Sequence, residues 1–440
     1  MLEKADVQQI QVAAHELIER GDYSNASGLL DTLLEHDPND ATALNFTGYI
    51  ALMNGNEPMA YQLFRRALAE KPGNHAIWTN FGQAAHEMGR DTEALNAFVK
   101  SAELKPDYAK AYANAAAILV QHSKWDDAEK AAQMALECDP KEQNAQMNLA
   151  HVHLARHNWK AGWEAFDLAL GGKFRKEWVY GNEKRWNGEK GQAVVVYGEQ
   201  GLGDEILFAS CIPDAIADCK KVIIDCDPKL EGLFRRSFPK ADVHGTRRDD
   251  APEWLDKARI DARCAMGSLP KFYRNADSDF HGTPYLKADP ELRKMWRGLF
   301  DSWGKPVYGL TLSGGTKRTN EAGRKIDPLQ MTPLLGMDAV FVSLDYKDLP
   351  QHPKIKLFPW ATQASDYDLT AALIAELDAV IGTPTTAIHC ANGLGVQTHV
   401  LVPELHQWRY AGEYVWAKGC KTYQQKNGEI WRNVVRRVEL

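Results

Sequence analysis

A proline that recurs every 34 residues constrains the fold of this chain more than any other feature. The prolines are Pro38, Pro72, Pro106 and Pro140. An alanine stands twelve residues before each of them, and Gly162 takes the next place in that series. A register kept over five copies at one period indicates stacked copies of one small supersecondary unit.

The same register carries alternating small and bulky residues, which is typical of paired helices. The small positions are Ala14, Gly48, Gly82, Ala116 and Ala150, and the bulky ones include Phe64, Phe98 and Phe166. We expect the small residues to let the two helices of a unit approach closely, and the phenylalanines to fill the gap to the neighbouring unit. The proline then follows the second helix, which it cannot continue.

This pattern resembles the tetratricopeptide repeat, a helix–turn–helix unit of 34 residues. We assign about five units to residues 1–174, the fifth without a closing proline because residue 174 is Phe. The resemblance implies an all-α solenoid with a concave surface that binds a partner.

Charge narrows the class of partner. The chain has 52 basic and 59 acidic residues and a net charge of −7, and residues 1–174 alone hold 15 basic against 24 acidic residues. This excess of acidic residues disfavours nucleic acid as a partner and favours a neutral or basic protein or peptide. A solvated helical surface without a special partner, and a homo-oligomer formed through the array, both stay open.

The sequence predicts a cytoplasmic protein without a membrane span. No apolar run approaches the roughly 20 residues that a membrane helix needs, and the first ten residues carry charge where a signal peptide would have its apolar core. The seven cysteines are odd in number and include no C-x-x-C pair, which indicates reduced thiols rather than disulfides or a zinc site.

From residue 190 the pattern changes to short β-branched runs separated by helical stretches. The runs are 193–197, 221–225, 307–313, 339–346, 355–358, 379–382 and 398–402. This alternation predicts parallel sheets in an α/β region. We expect a connector over 175–189, one lobe over 190–287 and a second over 288–440, with a bridging helix in 284–306.

The first lobe offers one candidate catalytic residue. A predicted buried strand runs into Gly198, Gly201 and Gly203, and a helix is expected to begin around Asp204. The order G-x-x-G-x-G is neither the dinucleotide fingerprint nor a P-loop, which counts against hydride transfer and ATP hydrolysis. Asp204 is a candidate general base, and an ordinary helix N-cap is the alternative.

The second lobe offers two candidate phosphate-binding elements. The first is a glycine-containing basic loop over 313–327, with Lys317, Arg318, Arg324 and Lys325. Clustered cations beside free backbone N–H groups suit a diphosphate, although a solvated basic loop is the alternative. The second element follows a strand and carries Thr383, Thr385, Thr386 and then His389. Hydroxyls and a helix N-terminus can hold phosphate oxygens, while His389 is either ligand-facing or a core histidine.

Five segments in this order resemble the heptosyltransferase-like glycosyltransferases of family 9. They are GEQGLGDEILFA, PYLKADPELRKMWRGLF, YGLTLSGG with GRKI, DLTAALIAELDAVIGTPTTAIHCANGLG, and VLVPELHQWRY. The resemblance implies the GT-B architecture, two Rossmann-like lobes with a cleft between them, and inverting transfer from a nucleotide sugar without a metal or other cofactor.

The resemblance also implies roles for individual residues. The catalytic aspartate of the family corresponds to Asp204, on the acceptor side, and a first-lobe loop that faces the cleft corresponds to 266–270. Nucleotide-sugar binding falls to Ser313, Gly314, Gly315, Arg324, Lys325, Thr385, Thr386 and His389. A Trp-Arg pair after the last strand of the family pattern falls on Trp408 and Arg409.

One position departs from the family. Pro384 stands where the family has an aspartate beside the nucleotide sugar, and Thr383 or Asp327 are candidate substitutes. We therefore expect a glycosyltransferase whose repeats present a protein or peptide acceptor. The alternative is a non-catalytic repeat scaffold with a degenerate sugar-nucleotide region.

Overall fold

The chain divides into two compact units, Met1–Val152 and His153–Leu440. The structure is a computed structural model that describes residues 2–172, 175–247, 252–315 and 321–440. Lys317 and Arg318 of the predicted basic loop lie outside the described residues.

Ten helices make up the N-terminal helical repeats. They are α1 (Lys4–Glu19), α2 (Tyr23–His36), α3 (Ala41–Met53), α4 (Glu57–Glu70), α5 (His75–Glu87), α6 (Asp91–Leu104), α7 (Ala109–Gln121), α8 (Trp125–Cys138), α9 (Gln143–Ala155) and α10 (Trp159–Leu168). Helices α2, α4, α6 and α8 each end two residues before one of the periodic prolines, as the sequence predicts. Among the described residues, no helix combines the length and the apolar character needed to cross a bilayer.

The periodic phenylalanines pack inside their own repeats. A Cβ placed on Gly48 would lie 2.7 Å from the Phe64 ring, and one on Gly82 would lie 2.6 Å from the Phe98 ring. Each glycine shares a repeat with the phenylalanine that it contacts. Each ring therefore covers the close approach of the two helices of one repeat. Both rings also belong to a buried cluster that spans several repeats, and their packing against the neighbouring unit stays a prediction.

A second 34-residue register marks the turn between the two helices of each repeat. Gly21, Gly55, Gly89, Ser123 and His157 all have positive φ angles, between 54° and 76°. Glycine adopts this conformation without strain, whereas a residue with a Cβ pays for it. The last two repeats therefore carry backbone strain that the first three avoid.

Replacing Ser123 by glycine is expected to stabilise the first unit by about 1 kcal/mol, because the strain of φ 54° is removed. The Ser123 hydroxyl is also buried and has no hydrogen-bond partner in the described part of the chain. Urea unfolding of the full chain measures the gain. Ser123→Ala is the matched control, since it removes the hydroxyl and keeps the Cβ. Equal stabilisation by both variants would show that strain is not the cause.

The second unit contains two parallel sheets. The strands are β1 (Lys184–Arg185), β2 (Ala193–Tyr197), β3 (Lys221–Asp225), β4 (Asp242–His244), β5 (Ala262–Ala265), β6 (Val307–Thr311), β7 (Val340–Ser343), β8 (Ile355–Lys356), β9 (Ala379–Gly382), β10 (Gln397–Val402) and β11 (Cys420–Gln424). The five-stranded sheet has the order β1-β5-β2-β3-β4, and the six-stranded sheet has the order β11-β10-β9-β6-β7-β8. Every described strand pair is parallel. The predicted α/β region is thus confirmed.

Helices alternate with these strands along the chain. They are α11 (Leu202–Phe208), α12 (Ile212–Asp218), α13 (Glu231–Ser237), α14 (Pro270–Tyr273), α15 (Pro290–Asp301), α16 (Glu321–Arg324), α17 (Thr332–Leu335), α18 (Pro359–Thr362), α19 (Asp368–Ala375), α20 (Thr386–Leu394) and α21 (Trp431–Val435). The bridging helix expected within 284–306 is α15, which starts after the N-cap Asp289. Residues 175–189, interpreted from the sequence as a connector, contribute the edge strand β1.

The last repeat helix, α10, packs within the second unit. Trp163 is 1% exposed, and its ring contacts those of Phe208, Trp408 and Trp416. Its indole N–H donates to the carbonyl of Arg274 at 2.7 Å. Trp163 of α10 thus packs in one aromatic core with Phe208, which follows the first sheet's β2, and Trp408, which follows the second sheet's β10. Helix α10 is therefore part of the α/β unit.

Candidate functional site

The predicted functional segments follow strands at the two topological switch points of the second unit. In the first sheet the chain moves outward from β2 to β3 and β4 and returns to the other side of β2 as β5. In the second sheet β7 and β8 are added on one side of β6, and β9, β10 and β11 are added on its other side, all parallel to it. Crevices at the carboxyl ends of strands on either side of such a point are the usual ligand sites of open α/β sheets. The glycine loop follows β2, the 313–315 segment follows β6, and the threonine segment follows β9.

Hydrogen bonds join the two predicted phosphate-binding segments of the second sheet. The Thr383 N–H donates to the Thr311 carbonyl at 2.9 Å, and the hydroxyls of Thr311 and Thr385 lie 2.9 Å apart. Gly314 lies against Thr385, since a Cβ there would be 2.5 Å from the threonine methyl. Gly382 has a φ of 151°, and its Cβ would lie 1.9 Å from the Thr311 carbonyl oxygen. The approach of the two segments therefore requires glycine at these positions.

The glycine loop of the first sheet meets the threonine segment of the second. Gly201 is the N-cap of α11. A Cβ placed on Gly203 would lie 3.1 Å from the Thr386 hydroxyl and 3.4 Å from the His389 ring. Helices α11 and α20 pack together at this point. Gly203 thus lets two elements predicted to be functional, from different sheets, touch each other.

Asp204 lies at this junction and is not an N-cap. It is the third residue of α11, whose cap makes no side-chain hydrogen bond, so that alternative interpretation is wrong. The Asp204 Oδ1 atom instead accepts a hydrogen bond from the Arg409 Nη2 atom at 2.9 Å. Its side chain is 29% exposed, and Oδ2 accepts no hydrogen bond from the described residues. One carboxylate oxygen is therefore held and the other is available.

Arg324 adds a second buried guanidinium to this cluster. It is 7% exposed, and its Nη1 atom donates to the Pro384 carbonyl at 3.3 Å. Burial lowers the pKa of the Arg324 guanidinium, and nearby Arg409 lowers it further. Within the described ranges Arg324 forms no ion pair, so two guanidiniums share the single carboxylate of Asp204. The cluster has an excess positive charge suited to an anion.

Four buried polar atoms around the same cluster have no hydrogen-bond partner in the described part of the chain. They are Thr383 Oγ1, His389 Nδ1, Arg409 Nε and Tyr410 Oη. Burial, reinforced by Arg409, lowers the pKa of His389 to about 3, so its imidazole is neutral at physiological pH. Buried polar groups are almost always satisfied by some partner. An uncommitted group of this kind is what a polar ligand satisfies.

The remaining predicted residues make their described contacts outside the cluster around Asp204. The Ser313 N–H donates to the Asp345 carboxylate at 3.1 Å, and Gly315 follows with a φ of 90°. Lys325 forms an exposed ion pair with Asp348 at 3.1 Å, so it is not drawn into the buried cluster. The candidate substitute Asp327 caps a short helix by accepting the Leu329 N–H.

Asp345 organises the segment that follows β6, and the sequence analysis missed it. It is 3% exposed and also accepts the Leu312 N–H at 3.1 Å. Burial raises the pKa of Asp345 to about 7, because the charged form is poorly solvated there. The available signal was an acidic residue near the end of the apolar run 339–346, two residues after the last residue of β7.

Stability is expected to depend on the charge of Asp345. Because its folded-state pKa lies above the ordinary value of 3.8, its stabilising contribution is complete below about pH 4 and is lost as pH rises through 7. At 1.36 kcal/mol per pKa unit, the loss is at most about 4 kcal/mol. We expect the stability difference between wild type and Asp345→Asn to fall between about pH 4 and pH 7 in urea unfolding. A constant difference over this pH range would contradict this origin.

Buried ion pairs shape the glycine loop of the first sheet and were also missed. Arg175 donates to Glu199 at 2.9 Å and to the Ser268 hydroxyl at 2.9 Å. Glu205 of α11 is paired with Arg247, which follows β4. The loops after β2 and β5 are thereby tied together, which fixes the direction in which α11 starts.

These features define a class: a helical-repeat segment joined to an α/β unit of two parallel sheets with a polar cluster at their switch points. A tetratricopeptide-repeat family model matches residues 12–75 and 79–143. The N-terminal part of the chain therefore carries tetratricopeptide repeats, as predicted.

Individual proteins resemble the chain over different lengths. Protein FlbA of Caulobacter vibrioides is 26% identical over 437 residues, which cover 91% of this chain and 72% of FlbA. A STIP1 homologue of Dictyostelium discoideum is 28% identical over 115 residues, or 26% of this chain and 20% of that protein. The solved structure of PilF from Pseudomonas aeruginosa covers 39% of this chain and 78% of its own, with 19% identity and a TM-score of 0.36.

Proposed function

We propose that this protein is an inverting, metal-independent glycosyltransferase of GT-B architecture, which moves a sugar from a nucleotide sugar to an acceptor hydroxyl. The observation that carries the proposal is the position of Asp204. The Asp204 carboxylate, in the helix that follows β2 of the first sheet, accepts a hydrogen bond on one of its two oxygens. It lies beside two buried guanidiniums, Arg324 and Arg409, from segments that follow strands of the second sheet. A base and an anion-binding cluster at one junction are what sugar transfer with a phosphate leaving group requires.

The proposed reaction assigns each group one task. The acceptor oxygen attacks C1 of the sugar and gives its proton to Asp204 Oδ2, while the bond from C1 to the phosphate oxygen breaks. The leaving diphosphate keeps the electron pair of that bond. Its developing charge is met by Arg324 and by the N-terminus of α20, with hydrogen bonds from Thr385 and His389. Preorganised positive charge of this kind is often the largest contribution to catalysis.

We further propose that the repeats bind the acceptor as a protein or peptide. Stacked helical repeats form concave binding surfaces, and the acidic balance of residues 1–174 favours a neutral or basic segment. The similarity to FlbA, which extends over both the repeats and the α/β unit, supports a function that uses the two together.

A nucleotide panel tests the donor half of this proposal. Thermal unfolding of the full chain is followed with UDP, GDP, ADP, CMP and their sugar conjugates. A ligand present at 100 times its Kd stabilises the folded state by about 2.7 kcal/mol. The matching sugar nucleotide is then tested for transfer to protein from a lysate. No stabilisation by any nucleotide would overturn the proposal.

Pro384 favours a second candidate, a non-catalytic binding protein. Its carbonyl accepts the Arg324 hydrogen bond at the place where the resembled family has a carboxylate. In this case the repeats recruit a partner, and the α/β unit binds a nucleotide without turnover. Stabilisation by a nucleotide sugar, together with neither hydrolysis nor transfer over a day, would decide for this candidate.

A further inference from the structure

The charges around Asp204 do not balance within the described residues. Arg409 and Asp204 form an ion pair at 2.9 Å, with side chains 8% and 29% exposed. Arg324 is equally buried and forms no ion pair within the described ranges. A buried charge without a partner is costly, so the cluster favours a second anion beside the two guanidiniums.

Aromatic packing fixes the Arg409 guanidinium from behind. It lies 5.2 Å from the centre of the Trp408 ring, and that ring meets Trp163 of α10 with centroids 5.7 Å apart. The Arg409 Nε–H is buried and has no acceptor among the described residues. The Arg409 Nη2 atom donates a hydrogen bond to Asp204. This guanidinium therefore has one N–H group that binds Asp204 and another, Nε–H, without an acceptor among the described residues.

We propose that Arg409 is a donor-binding residue, which holds the base Asp204 with one face and receives a phosphate group of the donor, together with Arg324, with its remaining donors. The proposal rests on the proposed function for the role of Asp204 and adds the subsite for the diphosphate. Guanidinium suits this task because its planar fork binds two oxygen-bearing groups at once. Asp204 and the phosphate then compete for the same positive charge.

Competition between Asp204 and the phosphate predicts that substitutions of Asp204 and of Arg409 change pyrophosphate binding in opposite directions, which a purely structural arginine would not produce. Inorganic pyrophosphate is titrated into the full chain by isothermal calorimetry at low salt. We expect Arg409→Gln to weaken pyrophosphate binding at least 10-fold, and Arg409→Lys to weaken it less, because lysine keeps the charge and loses the fork. Asp204→Asn should tighten binding about 3-fold or more, since the competing carboxylate is gone. Arg297→Gln, an exposed arginine paired with Glu376, should leave binding unchanged.

The outcomes separate this inference from the proposed function. Absence of pyrophosphate binding to the wild type, unchanged binding in Arg409→Gln, or weaker binding in Asp204→Asn would each overturn it. If Arg409→Gln fails to fold, as judged by circular dichroism, the Arg409→Lys and Asp204→Asn results decide. The expected binding pattern without any sugar transfer would retain the anion subsite and refute the transferase.

Discussion

Asp204→Asn is expected to lower the rate of the proposed sugar transfer by about 10³-fold, within the range that a general base contributes. Asparagine keeps the shape of the side chain and can still accept the Arg409 hydrogen bond, but it cannot take the acceptor proton. Donor binding should persist, because the proposed mechanism does not use Asp204 to hold the phosphates. The measurement is the turnover number at saturating nucleotide sugar, with the donor Kd determined in parallel.

The matched control for this variant is Asp338→Asn, at an exposed aspartate that pairs with Lys305. Its turnover should stay within twofold of wild type. A rate for Asp204→Asn within threefold of wild type would remove Asp204 from the mechanism. Loss of donor binding along with turnover would instead assign Asp204 to the binding of the donor.

Trp163→Ala is expected to destabilise the second unit by about 3–5 kcal/mol, the usual cost of truncating a large buried aromatic. The ring is 1% exposed and contacts Trp408 and Phe208, and its N–H bond to Arg274 would be lost. Chemical unfolding followed by tryptophan fluorescence and circular dichroism measures the change. Tyr346→Ala is the control, because Tyr346 is 53% exposed and should cost less than about 1 kcal/mol.

Truncation gives an independent test of the same packing. A fragment over 153–440 keeps α10 and should unfold cooperatively, whereas one over 175–440 loses Trp163 and Phe166 and should not. Equal stability of the two fragments would show that α10 is dispensable to the α/β unit.

The sequence predicted the interior strands better than the edges. Strands β2, β3 and β9 have the predicted bounds, because strands inside a parallel sheet are buried on both faces and appear as continuous apolar runs. The short or polar strands β1, β4, β5 and β11 were missed. Three of them are edge strands, where one side of the strand has no neighbour and the apolar signal fades.

The site shows the same division between local and distant signals. Asp204, Thr385 and His389 could be proposed from the sequence because each follows a recognisable strand by a few residues. Asp345 and the Arg175–Glu199 pair were missed, because their partners are 32 and 24 residues away and no local pattern links them. The orientation of Lys325 toward Asp348 likewise depends on a contact that only the folded chain reveals.

The positive-φ turn keeps its 34-residue phase from Gly21 to His157, although the compact units divide at Val152. The modular boundary of the fold and the boundary of the repeat pattern are therefore different places. A hybrid protein that takes its binding specificity from another array should be joined ahead of α10, so that this helix stays with the α/β unit that it helps to build.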